Sequence, residues 1–209
     1  MFKNMKSRTE IINKRWYRKD IAGDDFILYI SNYPIIAQYL GKRLGEKTKT
    51  LVELCTGVWV TLEYIGWFFW SCIGIDSDIA ILRDCQKNID STPFKDRIQL
   101  IHGDIADEKL LQSFTGNIVF YDIPFWSSHG EDKDKRNPPL KKIVENIQKY
   151  ISQDIVIFSP PHTAYEEIKE IIWDMEFEEV YINWKHDRTH LYLWELIQKH
   201  GKTKIKFIL

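Results

Sequence analysis

From Thr50 onward the chain alternates short apolar runs with longer amphipathic ones. The short runs are Leu51 to Leu54, Cys72 to Ile75, Ile98 to Ile101, Ile118 to Tyr121 and Ile155 to Phe158, and they are largely apolar on both faces. Continuous rather than alternating apolarity marks strands covered by helices on both sides, so these five read as a parallel set. Residues 58 to 68, 78 to 90, 106 to 115, 139 to 152 and 163 to 175 can each supply a crossover helix. Helix starts are signposted by Asp78, by Asp107 in a first turn, and by Pro138 and Pro139 ahead of Leu140, Ile143, Val144 and Ile147 at helical spacing. Residues 177 to 186 and 188 to 197 are two aromatic and β-branched runs meeting at Asp187 and Arg188, with room for a tight turn and none for a helix. The pattern predicts a doubly wound α/β fold whose mostly parallel seven-stranded sheet ends in a C-terminal antiparallel hairpin. Before the sheet, residues 24 to 44 have helical periodicity interrupted at Pro34, which divides them into two helices. The expected organisation is a basic arm with N-terminal helices over 1–45 and the sheet domain over 46–209, with no internal repeat.

Composition narrows the class. A 209-residue chain with 44% hydrophobic and 28% charged residues has the makings of one globular domain, and excludes a wholly disordered chain or a fibre. The longest apolar stretch, Ile65 to Ile75, holds two glycines and a serine and is far short of the ~20 residues that cross a bilayer, so no membrane span is expected. The N-terminus lacks the apolar core of a secretory signal. Cys55, Cys72 and Cys85 are odd in number and lack Cys-x-x-Cys spacing, so no disulfide framework, no metal site and a cytoplasmic setting are expected. The net charge of -1 conceals an asymmetry: residues 1 to 19 carry Lys3, Lys6, Arg8, Lys14, Arg15, Arg18 and Lys19 against Glu10 alone, and the remainder carries 22 basic against 29 acidic residues. Such an arm, with Trp16 and Tyr17 inside it, can sit on RNA phosphates and stack on bases; the plainer reading is a solvated terminus.

In an open α/β sheet, ligands bind at the carboxyl ends of the strands. The first strand end offers Glu53-Leu54-Cys55-Thr56-Gly57-Val58-Trp59, the second Asp76-Ser77-Asp78, the third Gly103-Asp104-Ile105, and the fourth Asp122-Ile123-Pro124-Phe125. A single acid there is ordinary helix capping, but four in strand order suit a nucleoside ligand. Backbone N–H groups of the first turn approach it, Asp76 lies 19 residues after Gly57 where an acid can accept both ribose hydroxyls, and Asp104 can accept from an adenine amino group.

On these motifs residues 50 to 197 resemble the class I S-adenosylmethionine-dependent methyltransferases. The resemblance implies the Rossmann-like methyltransferase fold, S-adenosylmethionine as cofactor, and Glu53, Cys55, Gly57, Asp76, Ser77, Asp104 and Ile105 as the residues around it. Asp122-Ile123-Pro124-Phe125 looks like the Asn/Asp-Pro-Pro-aromatic signature of enzymes that methylate base amino groups. It implies that Asp122 and the Ile123 carbonyl accept the amine N–H bonds, that Pro124 fixes the turn, and that Phe125, with Trp126, stacks on the base. The first turn, the run Asp96-Arg97-Ile98 leading to Gly103-Asp104, and Lys14-Arg15-Trp16-Tyr17 look most like the RNA cap guanine-N2 (trimethylguanosine synthase-like) group. That implies guanine N2 of an RNA as acceptor; adenine N6 suits the tetrapeptide equally.

The family's first motif is acid-x-Gly-x-Gly-x-Gly, and here Cys55 and Trp59 stand at two glycine positions. If Trp59 points at the cofactor it fills space normally left for the methionine part; pointing away, it is core. A catalytically inactive, RNA-binding or partner subunit is therefore the alternative reading, a small-molecule methyltransferase a third, and a homo- or hetero-oligomer is open to each. His186 and His190 flank the hairpin turn and read as solvated rather than metal-binding, Ser159-Pro160-Pro161-His162 as a structural turn, Trp67-Phe68-Phe69-Trp70 as core or an oligomer surface, and Glu131 to Arg136 as a solvated loop.

Overall fold

The computed structural model describes residues 7–15, 17–31, 34–122, 140–151, 155–159, 177–181, 192–196 and 206–208. The chain divides into two compact units, Met1–Asp104 and Ile105–Leu209. No described helix is long and apolar enough to cross a membrane.

The first unit opens with α1 (Arg8–Arg15), α2 (Asp25–Ile30) and α3 (Pro34–Leu44). Pro34 stands at the first position of α3, where its missing N–H costs nothing. Then follow β1 (Thr50–Leu54), α4 (Val60–Ile65) with a 3-10 turn over Gly66–Phe68, β2 (Ser71–Asp76), α5 (Ile79–Asp90) and β3 (Ile98–His102). β2 lies between β1 and β3, parallel to both, with Leu54 opposite Ile75 and Asp76 opposite His102. Leu51, Val52, Leu54, Cys72 and Ile75 are buried, as a sheet covered on both faces requires. Asp78 caps α5, its carboxylate accepting from the N–H groups of Ala80 and Ile81, so the capping signal in the sequence has its expected physical cause.

The N-terminal segment is bonded into this unit. Ile11, Ile12, Tyr17, Ile21 and Leu28 form one apolar cluster with Val58 and Val60, which flank the start of α4. Burying a side chain of that size stabilises the fold by roughly 1.5–3 kcal/mol. Polar bonds lock the same seam. The buried Asn88 of α5 donates to the carbonyls of Val58 and Ala22 and accepts from the Ala22 N–H at 2.7 Å. Arg18 donates to the Asn88 carbonyl and side-chain oxygens at 3.2 Å and lies 3.1 Å from Glu63. Arg8 donates to the Gly23 carbonyl and to Asp25, each at 2.9 Å, and to the Ile21 carbonyl. Tyr17 is only 5% exposed and its hydroxyl donates to the carbonyls of Leu28 and Ser31. This corrects one expectation: Tyr17 is core rather than a ring offered to bases, and Arg8 and Arg18 are engaged by groups of the same unit. Met1 to Lys6 and Trp16 lie outside the described residues.

The second unit comprises α6 (Glu108–Leu111), β4 (Ile118–Asp122), α7 (Leu140–Tyr150), β5 (Ile155–Ser159), β6 (Phe177–Tyr181), β7 (Tyr192–Leu196) and β8 (Lys206–Ile208). β4 and β5 are parallel, β7 pairs antiparallel with β5 and with β6, and β8 runs parallel to β6. The described strands of the chain are therefore eight, one more than the sequence pattern supplies. α7 buries Ile143, Val144 and Ile147, the stripe that its spacing predicts. α6 spans four residues where a run over 106 to 115 is expected. Asp107 caps it, and at its far end the Ser113 hydroxyl bonds the Leu110 carbonyl, a local bond that competes with helix continuation. The expected helix over 163 to 175, Asp187 and Arg188, and His186 and His190 lie outside the described residues.

Candidate functional site

The carboxyl ends of β1, β2 and β3 are tied together by backbone groups. The Thr56 N–H donates to the Ile75 carbonyl and the Gly103 N–H to the Asp76 carbonyl, both at 3.0 Å, and His102 Nε2 lies 3.0 Å from the Ser77 carbonyl. Asp76 is the hub. Its Oδ2 accepts from the Gly57 N–H and its Oδ1 from the Asp78 N–H, each at 3.0 Å. Burial raises the Asp76 carboxyl above its ordinary pKa, and the backbone N–H groups of Asp78, Gly57 and Ser77 oppose that rise. A carboxylate has about four lone-pair sites, so three backbone donors leave it acceptor capacity for a further donor.

The turn after β1 holds the second group. Glu53 is 1% exposed, and its Oε2 accepts from the Thr56 hydroxyl at 2.6 Å, pinning the acid to the turn that follows it. Cys55, Gly57 and Trp59 all have positive φ, at 62°, 59° and 86°. The alternate positions where the resembled motif carries glycine thus keep glycine's left-handed backbone, although two of them have side chains. For a non-glycine residue that conformation costs about 1–2 kcal/mol. Among the described residues, a Cβ placed on Gly57 meets no atom within 4 Å outside its chain neighbours. Trp59 is fully buried and lies more than 4 Å from that Cβ, and among the described residues its indole N–H has no hydrogen-bond partner.

Of the other expected site residues, Ser77 is exposed beside Asp76, Asp104 is exposed after β3, and Ile105 opens the second unit half-buried. Asp122 is the last residue of β4 and is half-buried. Ile123, Pro124, Phe125 and Trp126 lie outside the described residues, as do Pro160, Pro161 and His162 and the run from Glu131 to Arg136. In the first unit the structure therefore gathers Glu53, Cys55, Gly57, Asp76 and Ser77 around one turn. Sequence reasoning missed Thr56, the hydroxyl that holds Glu53, and Asn88, the amide that holds Val58. A polar residue inside the apolar stripe of Leu82, Cys85 and Ile89 is the signal for the second. Among the described residues no group of three His, Cys, Asp or Glu side chains is placed to hold a metal ion.

No family model matches the sequence, and no curated protein matches it. Solved structures match its fold. A candidate RNA methyltransferase of Pyrococcus horikoshii, PH1948, aligns with a TM-score of 0.59 at 15% identity, covering 95% of this chain and 100% of its own. Precorrin-6y C5,15-methyltransferase of Geobacter metallireducens aligns with a TM-score of 0.57 at 9% identity, covering 87% and 93%. TrmK of M. capricolum, solved with S-adenosyl-homocysteine, aligns with a TM-score of 0.56 at 14% identity, covering 81% and 69%. The chain has the α/β Rossmann-like fold that these methyltransferases share, and at such identities the likeness is one of fold.

Proposed function

We propose that the protein is an S-adenosylmethionine-dependent methyltransferase that acts on an exocyclic amino group of a base in RNA, guanine N2 or adenine N6. The observation that carries the cofactor reading is Asp76: a partly buried carboxylate at the end of β2, held by backbone N–H groups that include those of Gly57 and Asp78, beside a turn whose Gly57 has no described atom over it. That donor-acceptor set fits the two hydroxyls of a ribose. Asp104 suits the adenine amino group, Cys55 and Gly57 belong to the turn, and Ser77 and Ile105 flank the acids. When bound, the cofactor supplies an electrophilic methyl group. At β4, Asp122 accepts an N–H of the target amine and so aims its lone pair, with the Ile123 carbonyl, Pro124 and Phe125 completing the base site. The chemistry asked of the protein is positioning and electrostatics, with no covalent intermediate. The finer likeness to the cap guanine-N2 group, the hairpin formed by β6 and β7, an RNA partner for the remaining basic residues of 1 to 19 and a cytoplasmic setting belong to this same reading.

Titration calorimetry with S-adenosylmethionine and S-adenosylhomocysteine tests it. Micromolar binding of either is expected, and no binding of both overturns it. The inactive-subunit reading draws on one observation, the bulk of Trp59 at a glycine position. It gains if Trp59→Gly creates binding that the parent lacks, and it falls if the parent already binds. Radiolabelled methyl transfer to total RNA, compared with transfer to protein and small metabolites, then reads the acceptor class.

A further inference from the structure

The amino end of the β1–β2–β3 sheet carries a surface that the cofactor reading does not use. Between α4 and β2 the run Trp67-Phe68-Phe69-Trp70 splits: Phe69 is buried, while Trp67 and Trp70 stand 51% and 63% exposed. Both are held in place from their backbones. Lys47 donates its ammonium to the Trp67 carbonyl, and the Trp70 N–H donates to the Lys49 carbonyl at 2.9 Å. The Trp67 ring rests edge-on against Phe94, with centroids 5.0 Å apart. Arg97 donates to the Phe69 carbonyl at 2.8 Å and lies over the Phe94 ring at 5.6 Å. The platform is thus two exposed indoles on a fixed backbone, with Lys47 and Lys49 on one flank and Lys95 and Arg97 on the other. Glu46, which pairs with Lys49 at 2.6 Å, and Asp96 are the acids among them, so cations outnumber acids. α3 is packed behind it, since a Cβ on Gly41 would collide with the Phe68 ring, and its last turn adds Lys42 and Arg43.

We propose that this platform binds single-stranded nucleic acid, the indoles of Trp67 and Trp70 stacking on unpaired bases while Lys47, Lys49, Lys95 and Arg97 meet the phosphates. Charge decides the occupant. Aromatic rings interleaved with cations match a strand whose bases are apolar and whose backbone is anionic. A protein partner fits less well, because lysine is depleted at the core of protein–protein interfaces. β2 separates the platform from Asp76 by its own length, about 17 Å at 3.3 Å per step, so this surface anchors a strand away from the turn where a nucleoside would sit.

Fluorescence anisotropy with the full chain and a labelled 12-nucleotide single-stranded RNA, without any methyl donor, tests the proposal. The parent is expected to bind it at 50 mM salt and to bind a duplex of the same length more weakly. Trp67→Ala or Trp70→Ala is expected to weaken binding roughly 5- to 150-fold, Trp→Phe to restore most of it, and Trp70→Leu, apolar without a ring, to behave as the alanine variant. Lys47→Ala with Lys95→Ala is expected to lower the slope of log affinity against log salt by about 1.4. No binding by the parent overturns the proposal, as does unchanged binding by a thermally stable double alanine variant. Sedimentation showing that the indoles hold two copies of the chain together, with RNA affinity unchanged by their removal, overturns it in favour of a protein contact. A chain that binds the strand but not S-adenosylhomocysteine loses the function proposed above and keeps this site.

Discussion

The two ends of the β1–β2–β3 sheet are built on opposite principles. At the carboxyl end the working groups are acids and backbone N–H donors: Glu53 tied to Thr56, and Asp76 tied to Gly57 and Asp78. At the amino end they are indoles and cations: Trp67 and Trp70 among Lys47, Lys49, Lys95 and Arg97. The first end is bonded to itself, so its geometry is set before any ligand arrives. The second is fixed at the backbone and exposed at the side chains. Preorganised acceptors suit a small ligand with defined hydroxyls, whereas an exposed ring and a flexible ammonium suit a long ligand read by stacking and charge. A near-neutral chain thus holds two local fields of opposite sign on one sheet.

The largest expected break in that comparison is Asp76→Ala. Losing a charge-assisted acceptor for two hydroxyls should weaken S-adenosylhomocysteine binding by about 100-fold in calorimetry, with single-strand binding within twofold of the parent. If both fall together, the ends are not separate. Thiol labelling comes next. Cys72 and Cys85 are buried, and burial pushes the Cys72 thiol up to about 12, whereas Cys55 in the first turn is partly exposed. Iodoacetamide at pH 8 should modify Cys55 alone in the native protein, as read by peptide mass, and S-adenosylhomocysteine at ten times its Kd should slow that reaction about tenfold. Labelling of Cys55 that is indifferent to the ligand would place the nucleoside elsewhere.

Two smaller effects sharpen the picture of the turn. Cys55→Gly removes a side chain from a left-handed position and should stabilise the protein by about 0.5–1 kcal/mol, seen as a thermal midpoint a few degrees higher. Glu63, on the seam that carries Arg18, has its carboxyl raised, first by burial and against the pull of Arg18. Its native pKa lies above its unfolded one, so the native state binds more protons in that interval and stability falls as pH rises from the unfolded value through the native one. Asp76 acts in the same direction. Urea midpoints measured across the weakly acidic range should show that decline in the parent and a shallower one in Glu63→Gln.

Much of the first unit is legible in the sequence because its signals are local. Short apolar runs meet capping residues such as Asp78, and Asp76 stands out by its spacing from Gly57. The left-handed turn is less legible, since φ is a property of the backbone and residue type only correlates with it. Cys55 and Trp59 look like losses until their dihedrals are known. The N-terminal segment misleads for another reason: Arg8 and Arg18 count as surface charge in any composition, yet in the fold Arg8 donates to Asp25 and to the Ile21 and Gly23 carbonyls, and Arg18 donates to the backbone and side-chain oxygens of Asn88. Tyr17 reads as an aromatic in a basic run, and only the cluster with Val58 and Val60 shows that it is interior. The run from Asp122 to Phe125 reads as a motif in the sequence; Asp122 stands at the end of β4, and the other three residues lie outside the described ones.

Asn88 has a consequence for how the molecule breathes. One amide group grips Val58 beside the first turn and both backbone groups of Ala22 in the N-terminal segment. Opening of the turn and fraying of that segment therefore draw on a shared local equilibrium, and a ligand that tightens the turn must slow solvent exchange of the Ala22 amide hydrogen without touching it.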